Sequence, residues 1–262
     1  MKDYNTLSKN EIKQLAKLKQ GKYRQAAGQY IISGLRPAGG ALQAPAFKPL
    51  SIFIQQGRED LLQKLNTSSN CPVYLLSEPD FLRICEESSP QGIALLADFP
   101  VHPPEKRPQS PVLIYLQNVN DPGNLGTIIR SMLWFGFNEL LLSPGSADPF
   151  SPKAVRASAG FISHCSIFQD IKTDELPALK NEFGYKLYGT CAGSGIEITS
   201  FRPALNERFI LLLGSEARGL SEELTGACDE MLTIKKSGAG ESLNLGTSAA
   251  LFLYQIRTAL DS

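Results

Sequence analysis

The residues best able to do chemistry lie in three polar segments, each set beside apolar runs. The first is Asn118-Val119-Asn120-Asp121-Pro122-Gly123-Asn124-Leu125-Gly126-Thr127-Ile128-Ile129-Arg130. The second is Leu211-Leu212-Leu213-Gly214-Ser215-Glu216-Ala217-Arg218-Gly219-Leu220, and the third runs from Ile234-Lys235-Lys236 through Gly238-Ala239-Gly240-Glu241-Ser242-Leu243-Asn244. Each stands where an apolar strand gives way to a loop or helix, the place where ligands bind in open α/β sheets. In the first, Pro122 and Gly123 make a tight turn, and Gly126 lets backbone approach another group closely. Arg130 follows one helical turn after Gly126 and shares its face. Asn124 is expected just ahead of the helix, free to cap it or to project into a cleft. In the second, Gly214 bares backbone N–H and C=O groups to a ligand, and packing does not explain Glu216 at a strand end. In the third, two glycines allow a tight loop, Ser242 is a natural N-cap, and Asn244 falls in the first turn. Taken singly, each segment is also what a plain capped turn looks like, with acidic residues suited to a helix start.

Other chemistries lack their residues. Gly238-Ala239-Gly240 has neither the third glycine nor the acidic follow-up of a dinucleotide site. There is no phosphate loop and no nucleophile elbow. The two histidines are His102, in a Pro-rich stretch, and His164, beside an apolar run. A Ser-His-Asp site is therefore poorly supported, and His164 reads as structural. Cys71, Cys85, Cys165, Cys191 and Cys228 form no C-x-x-C pair, so no metal site is expected. An odd number of scattered cysteines fits reduced thiols in a cytoplasmic protein.

The elements that must hold these segments alternate strand and helix. Ser8 and Glu11 fit a capping box, with Leu7 and Ile12 as its hydrophobic staple; Gly21 is expected to end that helix. Apolar runs at residues 30–32, 51–54, 73–76 and 92–96, with helical segments at 58–65 and 78–87, predict a small α/β domain over residues 1–98. Residues 99–111 carry five prolines and read as a stiff linker. Residues 112–262 alternate again. Strands are expected at 112–116, 139–142, 186–190, 209–213 and 231–234, and helices at 127–135 and 242–260. Continuous apolar strands between helices imply a parallel sheet covered on both faces.

The formal net charge of the 262-residue chain is zero, but it is unevenly placed. Residues 1–48 hold nine Lys/Arg against two Asp/Glu, a balance of +7, and the remainder carries −7. A basic end on a neutral chain can supply a local patch for phosphate. No apolar leader opens the sequence, and no run of about 18 apolar residues exists to span a membrane.

Taken together and in this order, the three segments resemble the motifs of the SpoU/TrmH family of RNA ribose methyltransferases, a branch of the SPOUT superfamily. The resemblance covers about residues 112–260. The N-terminal half is similar to the family's small substrate-binding domain, whose fold is like that of ribosomal protein L30e. Lys17-Leu18-Lys19-Gln20-Gly21-Lys22-Tyr23-Arg24 resembles the start of that domain. The resemblance implies a C-terminal domain knotted as a trefoil, a homodimer with its active site near the subunit interface, S-adenosylmethionine as cofactor and RNA as substrate, rRNA ahead of tRNA. It implies that Leu213, Gly214, Ile234 and Leu243 contact the methyl donor, and that Asn124, Arg130, Glu216, Ser242 and Asn244 line the reaction site. Lys17, Lys19, Lys22 and Arg24 are the expected RNA contacts.

Three positions depart from the family's pattern, one being Leu245-Gly246-Thr247, which differs from the usual small, β-branched continuation. Ile32-Ser33-Gly34 lacks the Glu that often precedes the Gly, and Ile234-Lys235-Lys236 stands where members commonly have Ile-Pro-Met. Pro would stiffen a cofactor loop and Met would pack on an apolar surface; two lysines there would either weaken cofactor binding or add an RNA phosphate contact. The implied chemistry aligns a weakly nucleophilic ribose 2′-hydroxyl with an electrophilic sulfonium methyl group and assists loss of the hydroxyl proton. An arginine is hard to deprotonate, so Arg130 is expected to act electrostatically on phosphate and developing oxyanion. The rival reading is a non-catalytic RNA-binding paralogue. Lys235-Lys236 favours it, and the five polar site residues favour the enzyme.

Overall fold

Ser8 accepts the Glu11 N–H, and Glu11 accepts the Ser8 N–H at 2.7 Å. This reciprocal pair satisfies two orphan donors and starts helix α1 (Lys9–Lys17), as its capping box predicts. In the computed structural model, which describes residues 4–65, 71–100 and 108–262, Ile12 is buried in a core against which Leu7 packs. The helix stops sooner than expected. Lys17 is its last residue, and Gly21 begins a second helix, α2 (Gly21–Ala27), rather than ending the first. Arg24 Nη1 donates to the Leu18 and Lys19 carbonyls at 2.7 and 2.8 Å, the acceptors that Lys22 and Tyr23 would use in one continuous helix.

The chain continues through β1 (Gln29–Ser33), α3 (Leu35–Leu42), β2 (Ser51–Gln55), α4 (Asp60–Lys64), β3 (Val73–Leu76), α5 (Glu78–Ile84) and β4 (Ile93–Asp98). The four strands form one sheet in the order β1-β4-β2-β3, antiparallel except for β2 with β3. Ile31, Phe53, Leu76, Phe81, Ile84 and Ala94 are among its core residues. Of the Pro-rich linker, residues 101–107 lie outside the described residues.

The second half comprises β5 (Val112–Leu116), α6 (Pro122–Trp134), β6 (Glu139–Leu142), α7 (Pro152–Ala157), β7 (Ser166–Phe168), α8 (Leu176–Phe183), β8 (Tyr185–Cys191), β9 (Ile196–Glu197), β10 (Arg208–Leu213), α9 (Glu222–Ala227), β11 (Glu230–Thr233) and α10 (Leu245–Leu260). Its seven strands are all parallel, in the order β7-β6-β5-β10-β8-β11-β9. Every residue of β5 and all but the first of β10 are buried, which explains their unbroken apolar sequences. Two helix starts differ from expectation. α6 begins at Pro122 rather than Thr127, because Asp121 caps it and Pro is at home in a first turn. α10 begins at Leu245, capped by Asn244 rather than Ser242.

The chain divides into two compact units: Met1–Val101 with Asp148–His164, and His102–Ala147 with Cys165–Ser262. The stretch from 148 to 164 thus belongs with the N-terminal unit, although the sequence places it inside the second domain. The contacts explain this. Asp148 pairs with buried Arg24, Phe150 stacks on Phe99 at 4.4 Å, and Arg156 bonds Glu87 at 2.8 Å. Tyr30 Oη and Ser163 Oγ share a hydrogen bond of 3.2 Å. His164, read as structural, meets the Gly40 carbonyl through Nε2 at 2.9 Å. Gly160 has φ 79°, and a Cβ there would fall on the Pro37 carbonyl, so only glycine allows this backbone approach.

Candidate active site

β5 and β10 lie side by side, with Leu213 opposite Leu116. From β5 the chain moves outward to β6; from β10 it moves the other way, past β8, to β11. Connections that leave neighbouring strands in opposite directions open a crevice at their carboxyl ends. All three polar segments emerge at this end of the sheet.

The floor of the crevice is pinned by a residue that sequence reasoning missed. Gln117, just past β5 and only 7% exposed, donates from Nε2 to Ser221 Oγ at 3.0 Å and accepts the Ser221 N–H at 2.8 Å. Ser221 is also the N-cap of α9. The available signal was a buried polar residue directly after an apolar strand.

Asp121 accepts the N–H groups of Gly123 and Asn124, each at 3.2 Å, and thereby sets Asn124 in the first turn of α6. Asn124 Nδ2 donates to Glu216 Oε1 at 2.6 Å. Asn244 Nδ2 donates to Asn124 Oδ1 at 3.0 Å. Asn244 Oδ1 in turn accepts the Thr247 N–H at 3.2 Å. The direction of this chain follows from its capping end. An N-cap must present its oxygen to the helix, so the Asn244 amino group faces Asn124, and the Asn124 amino group is left to face Glu216. The structure therefore joins one residue from each polar segment, and the bond to a carboxylate is of the stronger, charge-assisted kind.

Gly214 is buried, and a Cβ on it would fall on the Gly219 backbone. Its lack of a side chain lets Ser215 and Gly219 exchange N–H···O bonds of 3.1 and 2.9 Å, closing the loop that carries Glu216. Leu213 is buried, and Ile234, just past β11, is half-buried. One strand, β8, separates β10 from β11, so Gly214 and Ile234 stand roughly 10 Å apart across the sheet. Leu243 is 50% exposed immediately before Asn244. Lys235 and Lys236 are exposed.

Two expected site residues do not join the cluster. Arg130 is exposed, and its side chain makes no hydrogen bond or ion pair among the described residues; six residues beyond Asn124, it lies about 9 Å farther along the helix axis. Ser242 is exposed in the loop and has no hydrogen bond among the described residues. In the N-terminal unit Lys22 is exposed, Lys17 and Lys19 are half-buried, and Lys19 donates to the Leu82 carbonyl at 3.4 Å. Arg24 corrects its expectation as an RNA contact. It is 4% exposed, and its donors are taken by the Asp148 carboxylate and the Leu18 and Lys19 carbonyls.

All five cysteines are free thiols. Among the described residues, no group of three or more His, Cys, Asp or Glu is placed to hold a metal ion, and no helix is long and apolar enough to cross a membrane.

Parallel strands, a crevice at the switch point and a carboxylate–amide chain across it define an α/β ligand-binding domain in a chain that also carries a smaller α/β unit. The chain belongs to the SpoU rRNA methylase family, whose model matches residues 111–254. Residues 9–95 match the MRM3-like substrate binding domain. Over 257 residues the chain is 30% identical to the 23S rRNA (guanosine(2553)-2'-O)-methyltransferase RlmP of Bacillus subtilis, covering 98% of this chain and 100% of that one. A solved structure from Porphyromonas gingivalis, assigned to the TrmH family of RNA methyltransferases, superposes with a TM-score of 0.83 at 32% identity, covering 96% of this chain and 98% of that one. The SpoU methyltransferase AviRb of Streptomyces viridochromogenes, solved with AdoMet, shares the fold with a TM-score of 0.83 at 21% identity over 97% of this chain and 99% of that one.

Proposed function

We propose that this protein transfers the methyl group of S-adenosylmethionine to a ribose 2′-hydroxyl of ribosomal RNA. The observation that carries this reading is the Asn244–Asn124–Glu216 chain at the switch point, in a protein that aligns end to end with a 23S rRNA 2′-O-methyltransferase. When bound, S-adenosylmethionine supplies an electrophilic methyl group on a sulfonium sulfur.

The chain's own residues bind, orient and assist. Leu213, Gly214, Ile234 and Leu243 form the methyl-donor side, through backbone groups and apolar contact. Asn124 and Asn244 hold the Glu216 carboxylate in one orientation, with an acceptor for a ribose hydroxyl. Ser242 supplies a further hydroxyl from the same loop. Arg130 steers the neighbouring phosphate and stabilises negative charge as the 2′-oxygen loses its proton. Lys17, Lys19 and Lys22 recruit RNA through its phosphates.

The protein acts in the cytoplasm as a homodimer, with its C-terminal unit knotted. Supporting the dimer, Trp134 on α6 is 83% exposed and Tyr254 on α10 is 55% exposed. Helices α6 and α10 meet closely enough that a Cβ on Gly246 would lie 3.1 Å from Thr127 Cγ2, so the two apolar surfaces adjoin.

The test is mass-spectrometric mapping of 2′-O-methylated nucleotides in ribosomal RNA from cells with and without the gene, beside calorimetric titration of the protein with S-adenosylmethionine. One ribose methylation is expected to vanish with the gene and return with purified protein and cofactor. An unchanged methylation map, or no heat of cofactor binding, overturns the reading.

A further inference from the structure

Lys17 Nζ lies 5.4 Å from the centroid of the Tyr23 ring, and Lys22 Nζ lies 4.9 Å from it. Two cations thus share one aromatic ring at the junction of α1 and α2. Neither has a carboxylate partner among the described residues; Lys17 donates to the neutral Gln14 Oε1 at 3.0 Å. Tyr23 itself is half-buried, and its hydroxyl makes no hydrogen bond among the described residues. Beneath the three side chains, Arg24 fixes the turn by holding the Leu18 and Lys19 carbonyls and the Asp148 carboxylate. The platform is therefore built on a buried ion pair, and it lies within the segment that matches a substrate binding domain.

Magnitudes indicate what displaces the lysines. An exposed cation–π contact is weaker than the stacking of a base on an aromatic ring. A lysine that leaves the ring for a phosphate also releases counterions. Only an unpaired nucleotide offers both exchanges, because a paired base has its faces stacked inside its helix. Duplex RNA would meet the lysines alone.

We propose that Tyr23, flanked by Lys17 and Lys22, is a stacking platform for an unpaired base of the RNA substrate, the two ammonium groups moving from the ring to the flanking phosphates. The inference rests on the RNA methyltransferase reading and goes beyond it by naming the local form of RNA selected.

The test uses the full-length protein and fluorescence anisotropy with a short single-stranded adenosine oligomer and with the same oligomer paired to its uridine complement. Tyr23→Ala and Tyr23→Leu are expected to weaken single-strand binding about 10-fold, with duplex binding and the salt slope unchanged. Tyr23→Phe keeps the ring and binds as the native protein does. Lys17→Ala with Lys22→Ala flattens the salt slope by about 1.4 on a log–log plot, roughly 0.7 for each lost contact. Native-like single-strand binding by Tyr23→Ala and Tyr23→Leu overturns the platform, as does a Tyr23→Phe protein as weak as Tyr23→Ala, which would assign the effect to the hydroxyl. Polyglutamate that displaces the oligomer equally from native and Tyr23→Ala proteins also overturns it, marking an unselective basic patch. A parallel ribosomal RNA methylation assay separates the two levels. Methylation by the native protein with unaltered binding by Tyr23→Ala removes the platform alone, and absence of both methylation and RNA binding in the native protein removes the parent reading.

Discussion

Asn124 donates to Glu216 across 2.6 Å, although 92 residues separate them in the chain. The bond joins the first turn of α6, which follows β5, to the loop after β10, and Asn244 holds its geometry from the third side. Two tasks therefore meet in one residue, Asn244, whose oxygen caps α10 and whose nitrogen orients Asn124.

That double role can be divided. Asn244→Ala is expected to lose both functions, lowering stability by about 1 kcal/mol for the missing cap as well as lowering methyl transfer. Asn244→Ser keeps an N-cap oxygen but lacks the amide to reach Asn124. Thermal unfolding should leave Asn244→Ser near the native protein, while its single-turnover methylation rate falls with that of Asn244→Ala. Equal rates for Asn244→Ser and native protein would show that the Asn124 contact is structural.

Arg130 is expected to act on the RNA side of the reaction. Arg130→Ala should lower methyl transfer about 10²–10³-fold and leave S-adenosylmethionine affinity within a few-fold by calorimetry. Arg130→Lys should rescue poorly, because a point charge does not reproduce the planar fork. The measurement is single-turnover methylation with saturating RNA. A near-native rate for Arg130→Ala would make it a surface residue of a capped helix.

Much of the scaffold was readable before the structure, for a physical reason: short-range patterns encode it. Val112–Leu116 and Phe209–Leu213 are apolar throughout because both sheet faces are covered, and Ser8 with Glu11 announces α1 through a contact three residues long. The misjudged boundaries have local causes too. Pro122-Gly123 has the composition of a turn, yet Asp121 caps a helix that begins there. Arg24 could not be placed from sequence, because its partner Asp148 lies 124 residues away and nothing in a basic helix marks which cation is buried. The same applies to the Asn244–Asn124–Glu216 chain: the three residues can be singled out by type and position, but their hydrogen bonds depend on strand order.

The Arg24–Asp148 pair is expected to govern stability. Arg24 is 4% exposed and the Asp148 side chain 23% exposed, so Arg24→Met leaves a largely buried carboxylate without its partner. The expected loss is about 2–4 kcal/mol, toward the low side of the range for a fully buried pair. Chemical denaturation of Arg24→Met, Asp148→Asn and the double variant measures the coupling. Strictly additive losses would show that the two groups act independently.

The dimer prediction concerns α6 and α10. Sedimentation at micromolar concentration should give about twice the 28.6 kDa chain mass. Trp134→Glu with Tyr254→Glu places charge on the exposed apolar surface and is expected to yield monomers with little activity. A native protein that sediments as a fully active monomer removes the homodimer from the proposal.

The passage of residues 148–164 into the N-terminal unit has a consequence for vectorial synthesis on the ribosome. A unit that ended at residue 101 could finish folding as soon as it left the exit tunnel. This one cannot. Arg24 lacks its carboxylate partner, and Tyr30, Gly40 and Glu87 lack theirs, until 63 further residues, 102 to 164, have been translated. At about 5–20 residues per second that interval is roughly 3–13 s. During it, β5, α6 and β6 emerge while the first sheet still awaits its last segment. The order in which this chain is made is therefore not the order in which its units are completed, and the two units mature as an interleaved pair.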